Sequence, residues 1–193
     1  MDDARSGTQL TQSRQGAFLL GLALMSYVVI TGMAISLVPI VAPEMEEHFG
    51  LSASQIGLLT SMLMLTTSLG ALPMGLAAAR WGGRVLVASG VVFVIGLALF
   101  AATASYPWFL AARLLQGIGA SAAPPVATLL MTQTVDRRHH GVTLGIFGCG
   151  QGLGVLLALL IMPSVQAAAG YQAVFLATAG IAAVTLVPFY NVF

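Results

Sequence analysis

Arg113 carries a permanent positive charge well inside a long apolar stretch of the sequence. Gln116, Gly117 and Ala120 follow within two helical turns, and such polar and small side chains are typical of a cavity wall. No Asp or Glu lies in any long apolar stretch, so the guanidinium has no acidic partner there. The sequence predicts Arg113 and Gln116 as residues that bind an organic or inorganic anion or support proton coupling. The alternative is an arginine that extends to a polar interface.

Tyr27 and Thr31 are one helical turn apart and share a helix face. They could present hydrogen-bonding groups to the same cavity, although a threonine hydroxyl can equally bond its own backbone. Gln151, which lies among glycines, is a weaker candidate for the same role.

Other chemistries find no support. The sequence Gly117-Ile-Gly119-Ala-Ser-Ala122 resembles a nucleotide-binding loop but follows no strand. His139 and His140 are adjacent and would point apart on a helix, and the single Cys149 allows neither a disulfide nor a zinc motif. No nucleophile–base pair and no phosphate loop is present. We therefore expect no catalytic residue, no metal and no cofactor, and hence not an enzyme.

The composition requires an apolar environment. Hydrophobic residues make up 58% of the 193 residues and charged residues 7%, against roughly 25% charged residues in soluble domains. The net charge of +1 and the absence of Lys argue against a nucleic-acid partner. The predicted partner of the surface is a lipid bilayer.

Charged and His residues cluster in short segments, and no such residue occurs between Arg14 and Glu44, between His48 and Arg80, or after His140. A helix needs roughly 20 apolar residues to cross a bilayer, so the sequence predicts an all-α membrane protein. A polar N-terminal segment, 1–15, precedes a six-helix transmembrane domain, 16–193. The predicted spans are about 17–41, 53–79, 85–104, 107–134, 140–165 and 172–190.

Local signals set several of these boundaries. Gly50 closes the first loop, and Ser52 and Gln55 have the spacing of a capping box at the start of the second span. Ser105 and Pro107 are typical of a helix start. The segment 169–171 is expected to separate the last two spans.

The arginines predict the orientation. If the N-terminus is cytoplasmic, six arginines fall in cytoplasmic segments and none in the outer segments, which is a strong positive-inside asymmetry. Both termini are then cytoplasmic, and the plasma (inner) membrane is the expected location. The six are Arg5, Arg14, Arg80, Arg84, Arg137 and Arg138.

Glycine and proline interrupt three spans, at Gly32, Pro39, Pro73 and Pro124-Pro125. Such interruptions are tolerated in lipid where protein or a cavity satisfies the freed backbone groups, which favours a transport domain. The first and fourth spans share this pattern, which is consistent with two three-helix repeats.

Several glycines are predicted packing positions, because bare faces let helices approach closely. Spacings of four place Gly148 and Gly152 on one face of the fifth span, and Gly150 and Gly154 on another. Simple tight packing explains these glycines as well as a role in transport does. The predicted packing positions are Gly117, Gly119, Gly148, Gly150, Gly152 and Gly154.

Three segments resemble the major facilitator superfamily. The fourth-span pattern R-x-x-Q-G-x-G-A is complete at 113–120. The loop pattern G-x-x-x-D-[RK]-x-G-[RK]-[RK] matches 75–84 except that Ala79 replaces the Asp, and its matching residues form the expected gating loop. Those residues are Gly75, Arg80, Gly82 and Arg84. Residues 137–141 resemble the family's basic entry to the fifth helix, whereas the antiporter pattern of that helix is only half present.

The resemblance implies two six-helix halves around a central cavity that work by alternating access. It also implies that Arg113 takes part in proton movement or substrate binding. This chain would be the N-terminal half, acting in secondary or facilitated transport of a small solute with a second half, either another chain or a second copy. The alternative is a non-transporting membrane module, such as a sensor, a partner subunit or a truncated transporter half.

Overall fold

The computed structural model describes residues 2–134 and 140–192, and every regular element in these ranges is an α-helix. Arg137 and Arg138, which were used to predict the orientation, lie outside the described residues, as does His139. The helices are α1 (Asp2–Phe49), α2 (Ala53–Trp81), α3 (Arg84–Ala102), α4 (Tyr106–Ala120), α5 (Ala123–Thr134) and α6 (His140–Val192).

The first helix is longer than the predicted span. It continues past Pro39 and Pro43 to Phe49, because the Met and Glu residues that follow favour helix. Gly50 then adopts a φ of 62°, a left-handed conformation that costs glycine little. The predicted capping box at α2 is present: the Gln55 backbone N–H donates to Ser52 Oγ at 3.3 Å, and the Ser52 N–H donates to Gln55 Oε1 at 2.8 Å.

The predicted fourth span, 107–134, is not one helix. It consists of α4 and α5, with Ser121 and Ala122 between them. Pro124 and Pro125 have no N–H, so they cannot bond the carbonyls four residues earlier, and the helix separates at that point. Because α1 is continuous across its prolines and this segment is not, the similarity of the first and fourth spans stays a prediction.

The predicted fifth and sixth spans are not separated by a loop. They lie in the single element α6, which is interrupted at Gly170, where φ is 74°. The Glu44 carboxylate holds this break: it accepts hydrogen bonds from the Tyr171 N–H at 3.1 Å and from Gln166 Nε2 at 3.2 Å. One glycine is enough to turn the chain here.

The two parts of α6 contact different helices. Before Gly170, the backbone of Gln151 lies against Gly32 of α1. After Gly170, the ring of Phe175 stacks on Phe100 of α3, with centroids 4.0 Å apart. The break at Gly170 therefore lets α6 cover both α1 and α3.

Four helical segments in the described residues are long and apolar enough to cross a membrane, and together with the apolar surface they make this an integral membrane protein. Helices α4 and α5, with 15 and 12 residues, are each shorter than the roughly 20 residues that a span requires. The outward face of α2 carries a stripe of exposed leucines, as a lipid-facing helix does: Leu65, Leu69, Leu72 and Leu76. The four segments are Leu24–Phe49, Ala53–Trp81, Arg84–Ala102 and Phe147–Val187.

Candidate functional site

A cavity of about 70 Å³ lies between α1, α2, α6 and the junction of α4 with α5. Its lining contains Thr31 and Gln151, two of the residues predicted from the sequence, and a third polar residue, Thr67. None of the described residues that line it is charged. The lining residues are Val28, Thr31, Ile35, Leu63, Met64, Thr67, Ala120, Ala123, Pro124, Phe147 and Gln151.

Both threonine hydroxyls on the cavity wall donate to their own helices. Thr31 Oγ1 donates to the Val28 carbonyl at 2.9 Å, which is the alternative in which the hydroxyl bonds its own backbone. Thr67 Oγ1 donates to the Leu63 carbonyl at 2.7 Å and lies 3.4 Å from the Gly117 carbonyl. With their protons used in this way, both oxygens can only accept further hydrogen bonds.

The junction between α4 and α5 forms part of the cavity wall through Ala120, Ala123 and Pro124. Ser121 continues the end of α4, because its N–H donates to the Gly117 carbonyl at 3.0 Å. The helix break therefore lies at the cavity, where irregular backbone is tolerated inside a membrane protein.

The glycines of the first part of α6 divide between two environments. A side chain at Gly154 would overlap the Val29 carbonyl of α1, and one at Gly150 would contact Met25 Sδ at 3.3 Å. A side chain at Gly148 or Gly152 would meet nothing within 4 Å among the described residues. One glycine face thus packs α6 on α1, while the other is open. Two glycines of α4 also allow close helix contacts. Gly117 lies against Thr66 of α2, and Gly119 lies against Phe93 of α3.

Arg113 lies in a different place, fully buried between helices and not in the cavity lining. Its Nη1 donates to the Ala34 carbonyl of α1 at 3.0 Å and to Gln116 Oε1 at 2.8 Å. Gln116 Nε2 in turn donates to the Gly96 carbonyl of α3 at 3.0 Å. Arg113 and Gln116 therefore connect α1, α3 and α4.

Aromatic rings complete the surroundings of Arg113. Its guanidinium carbon lies 5.6 Å from the ring centroid of Phe100 and 5.8 Å from that of Phe175, within the range of cation–π attraction. Arg113 Nε and Nη2 are buried, and the described residues offer neither a hydrogen-bond partner. We refer to Arg113, Gln116, Phe100 and Phe175 as the arginine cluster.

Tyr27 does not reach the cavity, although Thr31 one turn later does. It is buried, its hydroxyl donates to the Gly119 carbonyl at 2.7 Å, and its ring packs 6.2 Å from that of Phe93. The Tyr27 side chain is bonded to α4 and does not line the cavity, whereas Thr31 does.

The loop after α2 is well defined. Gly82 has a φ of 60°, and its N–H donates to the Ala78 carbonyl at 2.8 Å, which closes the helix. The Arg80 guanidinium lies 5.7 Å from the ring centroid of Trp81, and Arg84 is exposed. Gly75 lies about two helical turns before Gly82, beside Pro125. A gating role for this loop stays a prediction.

Sequence reasoning missed Thr67 and Phe147. Thr66 and Thr67 are adjacent hydroxyl residues in an apolar span, a signal equal to the one used for Thr31. Which of the two faces the cavity depends on the rotation of α2, which the sequence alone leaves open.

The helices and the cavity define a helical membrane protein with a small internal site. The family model of the Major Facilitator Superfamily matches residues 23–192. The chain belongs to this family.

Several relatives match most of the chain. It is 31% identical to the gallate transporter of Pseudomonas putida over 83% of this chain and 36% of that protein. It is 28% identical to the probable anion transporter 6, chloroplastic, of Arabidopsis thaliana over 81% of this chain and 31% of that protein. A probable 4-methylmuconolactone transporter of Cupriavidus pinatubonensis is 31% identical over 62% of this chain and 28% of that protein. The chain spans about a third of the length of these relatives.

A solved structure shows the same fold. It is a bacterial homolog of the human lysosomal transporter Spinster, in an inward-facing and unoccupied conformation, with a TM-score of 0.73 and 19% identity. The match covers 91% of this chain and 42% of that chain.

Proposed function

We propose that this chain is the N-terminal six-helix half of a secondary or facilitated transporter that moves a small organic anion by alternating access. The observation that carries the proposal is the cavity, because it brings together Thr31 and Gln151 at a break between helices. A polar site at a helix discontinuity within a membrane bundle is the arrangement in which transporters bind solutes.

The six spans of this proposal follow from two of the breaks. Helices α4 and α5 together form one interrupted span, and α6 forms two spans that meet at Gly170. The contacts of α6 with α1 before Gly170, and with α3 after it, support this division. Both termini are cytoplasmic, in the plasma membrane, and the arginine distribution supports that orientation.

The anionic substrate is supported by two observations. Relatives are named as transporters of gallate, of anions and of 4-hydroxybenzoate. In this chain, Arg113 is a buried cation with two N–H-bearing nitrogens that have no partner among the described residues. A buried charge of this kind is costly unless an opposite charge or hydrogen bonds compensate for it.

Arg113 and Gln116 would act through the helix packing and not on the cavity wall. A movement of α1 relative to α4 would break the bond between Arg113 Nη1 and the Ala34 carbonyl. The freed guanidinium could then bind an anion or balance a coupling proton. The loop containing Gly75, Arg80, Gly82 and Arg84 would act as a cytoplasmic gate.

The second six-helix half, either another chain or a second copy, would cover the open side of the cavity. The open glycine face of α6 at Gly148 and Gly152 is a surface that another helix can approach closely. We call this chain together with its second half the assembled transporter.

Proteoliposome uptake tests the proposal. The assembled transporter should take up radiolabelled 4-hydroxybenzoate or gallate with saturation, and external unlabelled substrate should accelerate the exit of preloaded label. Vesicles without protein should do neither, and if the second half is another chain, vesicles with this chain alone should also do neither. If the assembled transporter is folded and inserted but shows neither saturable uptake nor exchange with any tested organic anion, the proposal is wrong.

A further inference from the structure

The polar groups on the cavity wall share one property, which is that they accept hydrogen bonds and carry no charge. Thr31 and Thr67 have already donated their hydroxyl protons to backbone carbonyls at 2.9 and 2.7 Å. Their oxygens keep lone pairs for a ligand. Gln151, which is exposed, supplies an amide oxygen of the same kind besides its N–H₂ group.

The break between α4 and α5 adds a further acceptor. In a continuous helix the Ala120 carbonyl would accept from the backbone N–H at position 124, but Pro124 has none. In the same way, Pro125 offers no N–H to the Ser121 carbonyl. Ala120 and Pro124 both line the cavity, so this break in the helical hydrogen bonds lies at the cavity.

The first turn of α5 offers few free N–H donors beside these acceptors. The first turn of a helix normally presents free N–H groups that attract anions. Here Pro124 and Pro125 remove two of them, and the Val126 N–H donates to the Ala122 carbonyl at 3.1 Å. The junction therefore presents acceptors to the cavity and offers little to a carboxylate.

We propose that this cavity binds the hydroxyl group of a hydroxylated organic anion, with the Ala120 carbonyl, Thr31 and Thr67 as acceptors; this rests on the proposed transport function. A carboxylate brings no proton and would face the lone pairs of these acceptors, with only the exposed Gln151 N–H₂ group as a side-chain donor, which is unfavourable. The anionic end of the substrate therefore lies outside this cavity.

The size of the cavity agrees with a substrate whose hydroxyl end lies inside the cavity and whose anionic end lies outside it. Sites that enclose a whole small molecule have volumes of roughly 300–1,000 Å³, and this cavity has about 70 Å³. It holds one end of a ring with its hydroxyl. The apolar side chains of Val28, Leu63 and Phe147 surround that end.

Matched substrates test the proposal in the assembled transporter. Benzoate and 4-hydroxybenzoate differ by one hydroxyl group, and the ratio of their half-saturation concentrations for uptake measures its recognition. The wild type should favour 4-hydroxybenzoate. In Thr67→Val this preference should fall by about three- to tenfold, the effect of one lost hydrogen bond, whereas Thr67→Ser, which keeps the oxygen, should retain it.

Two further variants separate recognition from folding. Thr66→Val is the matched control, because Thr66 donates to the Met62 carbonyl at 2.5 Å in the same helix and does not line the cavity. Its preference should equal that of the wild type. Pro124→Ala returns an N–H donor to the Ala120 carbonyl and should lower the preference for 4-hydroxybenzoate over benzoate.

Three results would overturn the proposal. If Thr67→Val weakens both substrates equally while Thr66→Val is normal, the hydroxyl is not recognised here, although transport stands. If the preference disappears when Na⁺ is replaced by choline, the oxygens bind Na⁺ instead. If the wild type takes up neither substrate, the hydroxyl site is wrong, and the transport function fails as well only if no other organic anion is taken up.

Discussion

The arginine cluster and the cavity are both polar regions inside the same bundle, but they are built in opposite ways. Arg113 is charged, fully buried and connected to α1 and α4, and Gln116 extends the connection to α3. The cavity is uncharged and open, and its hydroxyls are already bonded to their own helices. A region that joins helices can couple their movements, whereas a region with free acceptors can bind a ligand. This difference supports the proposal that the arginine cluster acts in coupling and the cavity in recognition.

The largest expected effect is at Arg113. Arg113→Lys keeps the charge but loses the planar group that reaches both the Ala34 carbonyl and Gln116, and Arg113→Ala loses both bonds. Hydrogen bonds to charged groups contribute about 1.5–3 kcal/mol, so uptake by the assembled transporter should fall by about 10- to 100-fold in both variants. Membrane insertion should be intact, and uptake is compared at equal protein levels. Unchanged uptake in both variants would mean that Arg113 has no part in transport.

The sequence was enough to single out Arg113, but it did not predict which residues surround it. An isolated arginine in an apolar stretch is visible in the residue pattern, as are Thr31 and the capping box at Ser52 and Gln55. The pattern could not show that Arg113 contacts Phe100 and Phe175, because those rings come from two other helices. The same limit explains why Tyr27 was predicted to line the cavity together with Thr31. Residue spacing shows which helix face a side chain is on, but not which partner the side chain contacts.

Helix boundaries show a related limit. The prolines of the first span and those at 124–125 give the same local signal, yet α1 continues and the predicted fourth span separates. Two adjacent prolines remove consecutive helical bonds, and single ones remove one at a time. The segment 169–171 was predicted to separate the last two spans, and the structure has a break at the single residue Gly170. The carboxylate of Glu44, from another helix, stabilises this break.

The next largest effect compares the two glycine faces of α6. In Gly154→Ala the new methyl group overlaps the Val29 carbonyl, and such overpacking costs about 1–3 kcal/mol. Gly148→Ala adds the same methyl group where nothing lies within 4 Å. The thermal unfolding midpoint of the purified chain in detergent should fall clearly for the first variant and not for the second. Equal midpoints would contradict the packing of α6 on α1.

A smaller effect is expected for Tyr27→Phe. This change removes the hydrogen bond from Tyr27 to the Gly119 carbonyl but keeps the ring against Phe93. The free energy of unfolding should decrease by about 1 kcal/mol, measured by thermal denaturation, while the half-saturation concentration for uptake stays the same. A clear rise in that concentration at unchanged stability would place Tyr27 in the substrate site after all.

The smallest effect is expected for Thr31→Val. The hydroxyl of Thr31 is bonded to its own helix, so the fold should tolerate its loss, and only one acceptor leaves the cavity. The half-saturation concentration for 4-hydroxybenzoate should rise by about two- to fivefold. Thr60→Val is the control, since Thr60 donates to the Ile56 carbonyl in the same way and does not line the cavity. An equal rise in both variants would argue against a specific role for Thr31.

Protection of a cysteine by substrate tests most directly whether the cavity is the site of binding. Gln151→Cys, made with Cys149→Ser, places one thiol on the cavity wall, and Glu47→Cys in the same background places one at an exposed position outside it. In the assembled transporter, saturating 4-hydroxybenzoate should slow the maleimide labelling of the first thiol several-fold and leave the second unchanged. Equal labelling rates of Gln151→Cys with and without substrate, in a variant that still transports, would contradict the assignment of this cavity as the substrate site.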